Sequence, residues 1–155
     1  EGKARFIGMT GGAPECLKAV ELGCFDTIQV PYSLLNLASE DGLLEKAREN
    51  NVGVIIMRGL AGGKLTEKFE RLENEALREA IRGLLQFTGP GKEASSLAHL
   101  ALGYVLAHPA VFTVIAGTRR LEAVRANIAA AAMPLHSDFV EEVRHHVAGL
   151  GIKAW

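Results

Sequence analysis

Apolar residues along this chain follow two rhythms that take turns. Short runs with strand length and strand composition appear at residues 5–9 (R-F-I-G-M), 27–31 (T-I-Q-V-P), 52–57 (V-G-V-I-I-M) and 111–114 (V-F-T-V). Between them, apolar side chains recur every three or four residues, the period of a helix with one side against a core. Leu17, Ala19, Val20 and Leu22 mark the first such stretch, and Pro14 sits where a helix accepts proline, in its first turn. A second helix is predicted from Ser39, a capping hydroxyl followed by Glu40 and Asp41, with Lys46 and Arg48 near the opposite pole. Leu77, Ile81, Leu84 and Leu85 share one face of a third, which Gly89-Pro90-Gly91 ends. Residues 95–107 form a fourth, with Leu97, Ala101, Tyr104 and Val105 as its buried stripe and His108-Pro109 as its stop. A fifth opens at Leu121, and a sixth runs from Ser137 through Val147.

The pattern is four strand-then-helix units, with one extra helix after the third strand and one at the end. Repeated βα units predict parallel strands joined by right-handed crossovers. The run at 52–57 lacks polar alternation, which predicts a strand covered on both faces. Pro31, unable to donate into a central ladder, closes the second strand. With 155 residues, 48% hydrophobic and 23% charged, the chain reads as one domain over residues 1–155. Its net charge of -1 leaves no basic field for nucleic acid and no polybasic anchor for a membrane. No apolar run approaches the roughly 20 residues that span a bilayer. The first residues, E-G-K-A-R-F-I-G, lack a signal-peptide pattern, so a cytoplasmic location is expected. Cys16 and Cys24, too few for a disulfide framework and not spaced as ligands, read as small reduced core residues. His99, His108, His136, His145 and His146 are scattered without acid partners, so no metal site is expected.

The stretch V-I-A-G-T-R-R-L at 114–121 carries the clearest chemistry. A strand ends, a Gly-Thr-Arg turn follows, and a helix opens. Unsatisfied amides and the positive end of the dipole make such a helix start an anion cradle, and Arg119 and Arg120 add guanidinium donors. The same residues also fit a solvated turn with two surface arginines. Gly62-Gly63-Lys64 is not a triphosphate loop, because Arg58 holds the position of the first glycine and Leu65 replaces the hydroxyl residue.

Four segments taken together resemble the C-terminal half of the aldo-keto reductases. They are G-M-T-G at 8–11, D-T-I-Q-V-P-Y-S-L-L at 26–35, G-V-I-I-M-R-G-L-A-G-G at 53–63, and V-I-A-G-T-R from 114 with Asn127 beyond it. The resemblance implies an α/β fold that is half of a TIM (β/α)8 barrel, strands five to eight, whose complete members reduce aldehydes and ketones with a nicotinamide cofactor. In such barrels ligands sit at the C-terminal mouth of the strands. By this resemblance Thr10 and Gln29 would hydrogen-bond the nicotinamide carboxamide, with Gly11 in place of the usual asparagine. Met57 stands where many members place a tyrosine that stacks on the nicotinamide; a methionine is equally an ordinary core residue. Arg58, Leu60 and Gly62 lie in the loop that the family folds over the pyrophosphate. Gly117, Thr118 and Arg119 match the adenosine phosphate site, and Asn127 the adenine contact. The family's frequent lysine at Gly117 and arginine at Ala123 are absent; Arg119 is the residue that would favour NADP(H) over NAD(H).

The family's catalytic aspartate, tyrosine, lysine and histidine come from the first half of its barrel, so no catalytic residue is assigned here. Tyr32 and Lys64 match none of those positions. The expected function is therefore the cofactor-binding half of an NAD(P)H-dependent aldo-keto reductase, meeting a small carbonyl substrate only in a complete barrel. The alternative is a catalytically silent half-barrel that binds a dinucleotide or phosphate, or serves as an interaction module. Half a barrel has two bare edges and inward side chains, expected to include Ile7, Val30, Ile55 and Ile115, without an opposite wall. Each wet Val or Ile forfeits about 1.5–3 kcal/mol. A homodimer, a complementing half-barrel, or collapse to a flavodoxin-like sheet would cover them, and the homodimer is favoured.

Overall fold

A computed structural model describes residues 2–150. Four strands, β1 (Gly8–Thr10), β2 (Thr27–Pro31), β3 (Gly53–Met57) and β4 (Val111–Val114), form one parallel sheet in the order β1-β2-β3-β4. Among the described residues six α-helices accompany them: α1 (Ala13–Leu22), α2 (Leu43–Glu49), α3 (Glu75–Gly83), α4 (Leu97–Ala107), α5 (Leu121–Ala132) and α6 (Ser137–Gly149). Sequential order is what half of a (β/α)8 barrel requires. It excludes the flavodoxin-like alternative, whose second strand lies outside its first.

Burial alternates along the sheet. Ile28, Val30, Val54 and Ile56 are fully buried, whereas Thr27, Gln29, Pro31, Gly53, Ile55 and Met57 are only half-buried. Successive strand side chains point to opposite faces, so the first set faces the helices and the second an open face. The prediction of a strand covered on both sides is corrected: the apolar run at 52–57 is covered on one. Val30 is corrected with it, because it packs in the core under the helices. Ile7 and Ile115 are indeed exposed, and Ile55 is half-buried on the open face.

Other departures have local causes. β1 starts at Gly8 rather than residue 5, because the Ile7 amide is taken by Asp26 Oδ2 at 2.8 Å instead of a ladder carbonyl. The second helix starts at Leu43, after a 3-10 turn at Ala38–Glu40 and a left-handed Gly42 (φ 85). Ser39 does not cap it; its hydroxyl donates to the Pro31 carbonyl at 3.0 Å. Ser96, not Ser95, caps α4, accepting from the His99 amide, and Ser95 instead donates to His99 Nδ1. α4 is buried all round rather than on a stripe, taking in His99, Leu100, Leu102 and Gly103 as well. Leu85 is exposed, outside the face shared by Ile81 and Leu84. Cys16 is buried, which pushes its thiol up from the ordinary value, but Cys24 is exposed and belongs to no core.

One polar cluster lies inside the helical layer. Tyr32, just past β2, and Tyr104 of α4 are both buried, and both hydroxyls donate to Glu40 Oε1, the latter at 3.0 Å. The Arg144 guanidinium of α6 donates to Glu40 Oε2 and lies over the Tyr104 ring at 5.9 Å. Burial drives both phenol pKa values upward, so both rings stay neutral donors.

His108 meets the Tyr32 ring edge-on at 6.2 Å and accepts the Ala110 amide on Nδ1 at 3.2 Å. Burial lowers its pKa below 6.5. The folded chain then binds fewer protons at this site than the unfolded one, so the contribution is present above pH 6.5 and is lost as pH falls through the depressed value. Stability is expected to decline across that acidic window, and His108→Asn to flatten the decline there. Chemical denaturation at a series of pH values checks this; an unchanged slope in the variant would remove His108 from the account.

Candidate cofactor-binding site

The residues singled out along the chain fall into two groups. Thr10 ends β1, opposite Gln29 in register, and the Gly11 amide donates to the Gln29 carbonyl at 3.2 Å. Gln29 Nε2 reaches Met57 Sδ at 3.8 Å, a weak contact with a poor acceptor. Thr10, Gln29 and Met57 thus form one cluster on the open face of the sheet. The Gln29 amide retains donor and acceptor capacity there.

The second group gathers around a cavity of about 690 Å³. Arg58, Leu60 and Gly62 from the loop after β3 line it, and so do Gly117, Thr118 and Asn127 from the far side. The loop is curled by left-handed backbone at Arg58 (φ 59), Ala61 (φ 50), Gly62 (φ 66) and Gly63 (φ 90). For Arg58 and Ala61 this costs about 1–2 kcal/mol each, strain of the sort that collects at functional loops. Arg119 lines an adjoining depression with Lys68 and Arg71. It makes no ion pair with a described residue, whereas Arg120 Nη2 binds Glu67 Oε1 at 2.8 Å. The Glu67 carboxyl is held below its usual range, first by its own backbone amide and then by the Arg120 guanidinium.

Helix α5 begins here without a side-chain cap. The Thr118 hydroxyl accepts the Arg120 amide at 3.2 Å just ahead of the first turn of α5, whose Ala123 lines the cavity. Ser96, Leu97 and Ala98 bring the start of α4 to the same cavity. Ser96, Lys68 and Arg71 were missed from sequence. They come from segments remote from both motifs, and only Ser96 carried a local signal, its capping position ahead of an apolar helix. At Gly117 an added Cβ would meet nothing within 4 Å, so the turn is open. A helix start without a side-chain cap, an open glycine turn and the neighbouring Arg119 are features that an anionic group can use, beside a cavity within the size range of ligand pockets.

Tyr32 points into the helical layer and is held by Glu40, away from the open face. Among the described residues no three His, Cys, Asp or Glu side chains gather as a metal site, and no helix is long and apolar enough to cross a membrane.

Sequential parallel strands with helices on one side and an open face on the other define half of a (β/α)8 barrel. The aldo/keto reductase family model matches residues 1–148, and the chain belongs to that family. It is 28% identical over 145 residues to the NADH-specific methylglyoxal reductase of Escherichia coli (strain K12), covering 84% of this chain and 44% of that protein. It is 27% identical over 183 residues to the L-glyceraldehyde 3-phosphate reductase of Escherichia coli O157:H7, covering 99% of this chain and 52% of that one. Among solved structures, the holo form of aldo-keto reductase AKR11C1 from Bacillus halodurans superposes with a TM-score of 0.73 at 27% identity, over 97% of this chain and 52% of its own. The chain spans about half the length of the curated relatives it matches.

Proposed function

We propose that this chain is the cofactor-gripping half of an NAD(P)H-dependent aldo-keto reductase. The observation that carries the reading is the convergence of two distant segments, 58–62 and 117–127, on one cavity where the starts of α4 and α5 also meet. The α5 amides, Thr118 and Arg119 hold phosphate oxygens, while the 58–63 loop lies along the pyrophosphate. On the open face the Gln29 amide, with Thr10, orients the nicotinamide carboxamide, and Met57 lies against the ring. The bound cofactor supplies a hydride to a carbonyl carbon; these residues fix where the ring sits. Arg119, unpaired beside Lys68 and Arg71, favours the phosphorylated cofactor NADP(H) over NAD(H).

The test is protection from thermal unfolding by oxidised cofactor, together with a reductase assay on the purified chain. Protection by NADP+ exceeding that by NAD+ is expected, since a ligand that binds only the folded state stabilises it by mass action. No consumption of NADPH with a reactive aldehyde is expected, because among the described residues the strand side chains of the open face, Thr10, Thr27, Gln29, Ile55, Met57 and Thr113, offer no general acid. Turnover by the chain alone would contradict the assignment of the chemistry to a missing half. Indifference to both cofactors would favour a silent interaction module instead.

A further inference from the structure

Among the described residues His99 is the only buried histidine, and both nitrogens of its ring are engaged. The Ser95 backbone amide donates to Nδ1 at 3.1 Å, the Ser95 hydroxyl lies 3.2 Å from the same atom, and Nε2 lies 3.0 Å from the Met133 carbonyl. A backbone amide can only donate and a carbonyl can only accept. The partners therefore assign the tautomer: Nδ1 is the acceptor and Nε2 carries the proton. A cap for the start of α4 would need Nδ1 alone. The Nε2 bond does something else, because it ties that start to the residue that closes α5, 34 residues on.

Both helices wall the cavity assigned to the cofactor, α4 through Ser96 and Ala98 at its start and α5 through Ala123, Ala126 and Asn127. Asn127 lies on the same helix as the Met133 cap, about 9 Å from it at 1.5 Å per residue, so a stiff α5 carries any slide at its end to that side chain. The His99 backbone acts on the α4 wall as well. Its amide donates to Ser96 Oγ at 3.1 Å, which fixes the hydroxyl and leaves its hydrogen for a ligand. We infer that His99, which does not itself line the cavity, is a positioning residue for the adenosine end of the cofactor, setting Asn127 through Met133 and Ser96 through its own amide. The inference rests on the cofactor reading and adds how the two helices are held together. Thr10, Gln29 and Met57 belong to the sheet and stand outside this linkage.

Isothermal titration with adenosine 2′,5′-bisphosphate tests it, on the native chain and on His99→Leu, His99→Asn and His99→Gln. Leucine loses both ring bonds, asparagine keeps an acceptor near Nδ1 but falls short of Met133, and glutamine carries an amide donor to the reach of Nε2. Leucine and asparagine are expected to weaken binding about tenfold, the equivalent of one hydrogen bond, and glutamine to hold it near the native level. The Gln29 side-chain amide signal at saturating NADP+ should stay in its native place in every variant. A purely structural role would lower the melting temperature and leave the affinity of the folded chain intact, and that outcome overturns the inference. Rescue by asparagine but not by glutamine overturns it too, since His99 would then be only a cap, and so does a displaced Gln29 signal. If the leucine variant does not fold, the contrast between glutamine and asparagine decides. A native chain that binds neither NADP+ nor the bisphosphate removes the cofactor reading and this inference together, whereas native binding that no variant weakens removes this inference alone.

Discussion

Glu40→Leu is expected to lower folding stability by about 3 kcal/mol or more, the largest effect of any single substitution considered for the fold. The carboxylate accepts from three donors on three elements: Tyr32 after β2, Tyr104 in α4 and Arg144 in α6. Leucine keeps the bulk but leaves two buried hydroxyls and a guanidinium without their acceptor. Removing one partner of such a cluster is more damaging than never having built it, because the remaining polar groups keep their desolvation cost. Glu40→Gln retains one acceptor oxygen and should cost closer to 1 kcal/mol. Urea unfolding followed by circular dichroism separates the two. Equal, small losses for both variants would mean the cluster is solvated enough to be dispensable.

Arg119→Ala is expected to weaken NADP+ binding about tenfold or more, the usual loss when a charge-assisted contact to phosphate is removed. NAD+ binding should change much less. Arg119 is exposed and has no carboxylate partner among the described residues, unlike Arg120, whose charge is already engaged by Glu67. The effect should therefore shrink with added salt, since exposed charges are screened over about 10 Å at 0.1 M ionic strength. Arg120→Ala is predicted to be the milder change. Isothermal titration of both variants with both cofactors gives the comparison, and equal losses for NADP+ and NAD+ would remove Arg119 as the discriminating residue.

The alternation of strand and helix was legible because apolar spacing is set locally, and it gave the element order correctly. The turn between β4 and α5 was legible for the same reason: Gly117, Thr118 and Arg119 are consecutive and precede an apolar helix. Glu40 was not. An acid just after Ser39 reads as helix capping, and its real role depends on Tyr104 and Arg144, which lie 64 and 104 residues away. The faces of the sheet were half legible. Val54, Ile55, Ile56 and Met57 are all apolar, so nothing in that run says which side meets helices and which stays open; register against β2 decides it. Lys68 and Arg71 were invisible as site residues, and Ser96 showed only as a helix cap, because the cavity and the depression beside it exist only once distant segments meet.

The central claim is that the cofactor is gripped by this chain through two separate patches. Two-dimensional amide spectra of the labelled chain during titration with NADP+ test it most directly. Shifts are predicted at Gly62, Gly117, Thr118 and Leu121 and at the Gln29 side-chain amide, with the helical layer around Tyr104 unaffected. Shifts confined to other surfaces, or none at saturating cofactor, would contradict it.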